Sequence, residues 1–108
     1  MKRETQGRRV RIYVAESDQW HGRTLYAAIV QEARKRGLAT VARGVMGYGA
    51  SAAIHEPHLF QLSNDLPVVI EIIDSEEKIA AFLPYLDDMV QEGLVTTSAV
   101  EILRYDKK

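Results

Sequence analysis

Residues 42–60, ARGVMGYGASAAIHEPHLF, hold the side chains best suited to chemistry in this 108-residue chain. His55 and His58 flank Glu56 and Pro57, and two imidazoles with a carboxylate suit a borderline metal such as zinc, copper or nickel. The spacing is not that of a helical metalloprotease motif, which needs histidines four apart on a helix that Pro57 would interrupt. A metal would have to be held from a loop and completed by His21 or across a subunit boundary. The competing reading is of exposed loop histidines, or of imidazoles bonded to backbone. Upstream, Arg43, Gly44, Gly47, Tyr48 and Gly49 form a second constellation. It matches neither a Walker loop nor a dinucleotide fingerprint, because no lysine–serine pair and no helix pattern follows it. Glycines there can simply bend a strand or admit another backbone. With the Arg43 guanidinium, free amides and the Tyr48 ring, the same stretch could also receive a nucleotide-sized anion, with His55 close by in sequence. Ser51 and Ser63 flank the histidines without a base beside them, so no catalytic residue is assigned. The acidic pairs Glu76–Glu77 and Asp87–Asp88 read as a solvated helix face.

Composition narrows the classes further. Fourteen basic and fifteen acidic residues leave a formal net charge of −1, so no global field draws the chain to nucleic acid or anionic lipid. With no cysteine there are no disulfides, thiolate metal sites or cysteine nucleophiles. No run approaches the ~18 apolar residues of a membrane span, and the basic start has no apolar stretch behind it, so a cytoplasmic location without membrane insertion is expected. A chain of this length makes one core and buries roughly 60 to 68% of its unfolded surface. Residues 1–7 are expected to be a disordered tail and 8–108 a single domain.

The elements that must position these residues follow from periodicity. RRVRIYVAES alternates, with Val10, Ile12 and Val14 on one side and Arg9, Arg11 and Tyr13 on the other, a half-buried strand. His21 to Arg36 changes to helical spacing, with Leu25, Tyr26, Ile29, Val30 and Ala33 as its stripe and Gly37 as its left-handed stop. TVARGVMGYG is a glycine-weakened strand and residues 50–65 a loop. LPVVIEIID is a covered strand with Pro67 at its start. Asp74 and Glu77 read as an acidic capping box opening a second helix that carries Ile79, Phe82, Leu83, Leu86, Met89 and Val90, tolerates Pro84 with a cost or kink, and stops at Gly93. LVTTSAVEILRY is the last strand. The order βαββαβ predicts an α+β, ferredoxin-like sandwich: an antiparallel four-stranded sheet with both helices on one face. The other face carries Arg11 and Tyr13 on the first strand and, on the third, either Val68, Ile70 and Ile72 or Val69, Glu71 and Ile73; even the less apolar of these is too apolar for water, which predicts a homo-oligomer. The same order builds an RNA-recognition module, but only Tyr13 could stack a base and the charge is balanced, so no nucleic-acid partner is expected.

RGVMGYG, the histidine loop, LSNDLPVVIEIID and EGLVTTSAVEILRY closely resemble the family catalogued as domain of unknown function 190, within the PII-like superfamily, over about Arg8 to Tyr105. The resemblance implies a PII-like homotrimer whose sheets face the three-fold axis. The family brings no established biochemical activity, and the wider superfamily implies a ligand sensor that binds adenine nucleotides in inter-subunit clefts and engages a partner, such as a membrane transporter, through a loop; the chain is expected not to be an enzyme. Gly47, Tyr48 and Gly49 match the glycine–aromatic–glycine segment that starts that loop, and 50–65 would be its shortened counterpart. QEGLVTTSAV lacks the lysine-rich phosphate loop of PII proteins, and residues 50–65 contain no tyrosine to modify. A monophosphate, a cyclic nucleotide or another small anionic metabolite would therefore be easier to hold than a triphosphate, with Arg43 and Arg104, helped by Arg8 or Arg9, as compensating cations. Copper-tolerance proteins of the CutA type share the trimeric architecture, which keeps metal binding by His55, Glu56 and His58 as the alternative function, although the usual cysteine is missing.

Overall fold

The computed structural model describes residues 2–38, 40–45 and 67–107, with backbone alone at 40–45 and 67. In chain order the described elements are β1 (Lys2–Ala15), β2 (Gln19–Trp20), β3 (Arg23–Thr24), α1 (Leu25–Lys35), β4 (Thr40–Val45), β5 (Pro67–Asp74), α2 (Glu76–Met89) and β6 (Leu94–Tyr105). The main sheet runs β4-β5-β1-β6, antiparallel at every step: β4 and β5 are neighbours in both chain and sheet, while the helical connections from β1 to β4 and from β5 to β6 each cross over one strand, as in the ferredoxin-like fold. Val10, Ile12 and Val14 of β1 and Val68, Ile70 and Ile72 of β5 are fully buried beneath Leu25, Ala28, Ile29 and Ala33 of α1 and Ile79, Phe82, Leu86 and Met89 of α2. The two-residue and three-to-four-residue periods thus meet in one layer of core, with helices on a single face of the sheet.

Local chemistry sets the helix limits, and it moves several of the expected ones. The first helix begins at Leu25 rather than His21, because His21 (φ 51°) and Gly22 (φ 76°) form a left-handed two-residue turn between β2 and β3. Asp18 braces this hairpin, its carboxylate accepting from the Ala15 amide at 3.0 Å and its carbonyl from the Leu25 amide at 2.8 Å. The helix closes as the sequence predicts at Gly37 (φ 75°): the Gly37 amide donates to the Arg34 carbonyl and the Leu38 amide to that of Ala33, both at 3.1 Å, with Leu38 buried. The cap of α2 is Ser75 rather than Asp74. Its hydroxyl oxygen accepts from the Lys78 amide at 3.2 Å, while Asp74 is still paired with Arg8 as the last residue of β5. Pro84 lies on the exposed side of α2, within one continuous helical span. That helix ends at Met89, Val90 being extended, so Gly93 is not its stop.

Residues 2–7, expected to be a disordered tail, are strand. Lys2 to Gly7 pair in register with Tyr105 to Val100 of β6, while β5 reaches only as far as Arg8. A two-stranded ribbon therefore continues past the end of the four-stranded sheet. Fourteen residues of strand span about 46 Å, matching the 47 Å long dimension of the molecule. The ribbon leaves the sheet at Gly7, which is buried against Ile102; a β-carbon there would also meet the Asp74 carbonyl oxygen at 2.8 Å.

Candidate functional site: a guanidinium-lined groove at the end of the sheet

The face of the sheet away from the helices is half-buried and mixed. Arg9, Arg11 and Tyr13 of β1 lie opposite Ile73, Glu71 and Val69 of β5 and opposite Ser98, Thr96 and Leu94 of β6. Arg11 and Glu71, directly across from each other, form an ion pair with Nε 2.6 Å from Oε2. That hydrogen bond is the main reason the Arg11 pKa is raised above its ordinary value. On β5 the pair sits between Val69 and Ile73, whereas Arg9, Ser98 and Thr96 keep the neighbouring part of this face polar.

Where the ribbon departs, the same face turns into a groove of about 280 Å³. Thr5, Ile73 and Ile102 line its floor, Asp74, Ser75 and Gln6 its rim, and Arg3 and Arg104 bring two guanidiniums into it. These arginines are register partners across β1 and β6, a placement in which like charges repel. Arg3 is held by Asp106, with Nε–H donating to Oδ2 at 3.1 Å and Nη2 at 2.8 Å from the same oxygen. Arg104 is exposed and has no ion-pair partner among the described residues. Asp74 Oδ1 accepts from the Ser75 amide at 2.7 Å. The groove can therefore receive an anion beside a guanidinium, with apolar surface for whatever carries that anion.

Among the described residues, Arg104 is the one of those singled out from sequence as a ligand or metal contact that lines this groove. Arg8 is turned to the helix side, 3.7 Å from Glu76, and Arg9 lies farther along the open face. Arg43 and Gly44 are in β4 opposite Ile70 and Val69. Because β4 and β6 are the two outer strands, Arg43 and Arg104 are separated by three strand spacings, about 14 Å, within one chain. Along the strands, Arg104 pairs with Arg3 whereas Arg43 is level with Ile12, some 30 Å away. One chain does not bring them to one ligand. Gly47, Tyr48, Gly49, His55, Glu56, His58 and the loop 50–65 lie outside the described residues. His21 is at the tip of the β2–β3 turn, edge-on to Trp20 at 4.3 Å, and no cluster of three metal-ligating side chains occurs among the described residues. Sequence reasoning missed Arg3 and Asp106. The only signal for them was the symmetric spacing of KR and RYD at the two ends of what become paired strands.

The family model DUF190, described as Uncharacterized ACR, matches residues 7–102. The chain belongs to the DUF190 family. This DUF190 protein is 42% identical over 96 residues to a UPF0166 protein of Aquifex aeolicus, covering 87% of this chain and 90% of that one. It is 37% identical over 89 residues to the UPF0166 protein MJ1524 of Methanocaldococcus jannaschii, covering 80% and 82%. Its fold is that of PII-like proteins. The apo form of CPII from Thiomonas intermedia K12, described as a nitrogen regulatory PII-like protein, superposes with a TM-score of 0.58 at 11% identity over 97% of this chain and all of that one. CPII bound to ADP, AMP and acetate gives 0.61 at 12% identity over 93% and 91%. The PII-like signalling protein TTHA0516 of Thermus thermophilus gives 0.57 at 16% over 94% and 90%. Among the described residues of the DUF190 chain no helix is long and apolar enough to cross a membrane.

Proposed function

We propose that this protein is a PII-like, non-enzymatic ligand sensor that binds a small anionic metabolite, foremost an adenine nucleotide, in clefts between the subunits of a homotrimer. The observation that carries the reading is the groove at the end of the sheet, where Arg3 and Arg104 face each other above Ile73 and Ile102. Two guanidiniums over an apolar floor fit a phosphate joined to a flat, largely apolar body. The PII-like fold and the ADP and AMP held by CPII favour the same class of ligand. The 14 Å by 30 Å separation of Arg43 from Arg104 within a chain fits a site that a second copy completes. Binding would be reported to a protein partner through residues 50–65.

Isothermal titration of the protein with AMP, ADP and ATP tests this. At least one should bind, and at 100 times its Kd should raise stability by about 2.7 kcal/mol. Arg104→Gln should weaken that binding by about tenfold, the loss of one charge-assisted contact, and Arg43→Ala should do likewise if the cleft is shared between copies. No binding of any adenine nucleotide would overturn the reading.

A further inference from the structure

Two arginines facing each other across paired strands need a counter-charge, and here the fold supplies it from within. Asp106, just past β6, lies 2.8 Å from Nη2 of Arg3 and accepts from its Nε at 3.1 Å. Across the groove, the Asp74 carboxylate is held at the rim by the Ser75 amide. The remaining lining side chains, Thr5, Gln6, Ile73, Ser75 and Ile102, carry no charge. Two guanidiniums are thus balanced by two carboxylates, and the groove offers directed donors without surplus positive charge.

We propose that Asp106 determines which anions this groove accepts. Its carboxylate occupies the Arg3 guanidinium as a ligand's anion would, so an incoming group must share Arg3 with it and rely on Arg104. Phosphomonoesters and carboxylates, which need one guanidinium fork, are accepted. Polyphosphates, whose additional charge would meet Asp106 and Asp74, are disfavoured. The inference rests on the anion-binding reading of the groove and adds its selectivity. Arg3, Arg104 and Asp106 all lie outside the 7–102 stretch matched by the family model.

The test compares AMP with ADP by titration calorimetry on the full chain. Wild type should prefer AMP. Asp106→Asn should bind both more tightly and ADP disproportionately, shifting the AMP-to-ADP preference by about tenfold. In an Arg3→Gln background the same substitution should shift it by less than about twofold, since the coupling runs through Arg3. Should Arg3→Gln not fold by circular dichroism, Arg3→Lys, which keeps the charge but loses the two-pronged contact, serves instead and should at least halve the shift. Binding by wild type with an unchanged preference in Asp106→Asn, or an equal shift with and without Arg3, would overturn the inference and leave the anion site standing. Failure of every protein to bind AMP, ADP or inorganic phosphate would remove the anion site itself.

Discussion

At the scale of single residues, the sheet depends on two glycines for close approach rather than for turns. A β-carbon on Gly93 would lie 2.5 Å from the Tyr13 carbonyl oxygen, and its φ of 153° is one that other residues rarely adopt. Gly93→Ala should therefore cost more than about 2 kcal/mol in urea unfolding. Gly7→Ala places its methyl against Ile102, a side chain that can be removed, and 2.8 Å from the Asp74 carbonyl. The Ile102→Ala change should recover part of the Gly7→Ala loss, and strictly additive losses in the double variant would contradict that packing. Sequence reading placed Gly93 after the second helix correctly but gave it the wrong task, because the carbonyl it lies against belongs to a strand about eighty residues earlier.

Elements show where local rules hold and where pairing overrides them. The α1 terminus is purely local: the Ala33-to-Leu38 motif needs only a residue that accepts positive φ at 37 and an apolar one after it, and both are legible in RKRGL. The α2 start is not, because strand pairing claims Asp74 and leaves the cap to Ser75. Ser75→Ala should consequently cost about 1 kcal/mol, whereas a Glu77→Ala change should cost less, a comparison that thermal melts resolve. Pro84 removes one intrahelical hydrogen bond from an exposed position, so Pro84→Ala should stabilise the protein by about 1 to 2 kcal/mol. Between β1 and β5 the Arg11–Glu71 pair fixes register. The raised Arg11 pKa means its contribution is fully present below the ordinary arginine value and is lost only as pH rises through the folded value, above any working pH. Salt, rather than alkali, should weaken it. With both side chains about one-third or more exposed, a double-mutant cycle should read roughly 0.5 to 1 kcal/mol at low salt and less at 1 M.

For the whole molecule, the decisive feature is what one chain leaves uncovered. Its radius of gyration of 14.9 Å exceeds the roughly 13 Å of a compact domain of this length, in keeping with a ribbon that projects beyond its sheet. Val95, Leu103 and Tyr105 are exposed on β6, and Tyr13, Val69, Ile73 and Leu94 are half-buried on the open face. If three 12.2 kDa chains bury that face together, sedimentation equilibrium should return a trimer for wild type and a single-chain mass for Val69→Lys, which puts an unpaired charge in the seam. A monomeric wild type would refute the proposed trimer and its shared clefts.

What the sequence determined by itself is the fold: the alternation in β1 and β5, the two helical stripes and their order suffice, because each element's burial is written in its own period. The second sheet face, expected from either parity of VVIEII to be apolar, is mixed, because strand pairing sets Arg9 and the Arg11–Glu71 pair beside Val69 and Ile73. Tertiary structure alone decided the groove. Lys2 to Gln6 are polar and exposed, with no hydrophobic alternation to mark a strand, and they are ordered only by pairing with residues 101–105 at the far end of the chain. Arg3, Arg104 and Asp106 became one site through that pairing, while Arg43, which looked like their companion in sequence, was carried to the opposite edge. Periodicity reports which way a side chain points; only strand order and register report what it meets there.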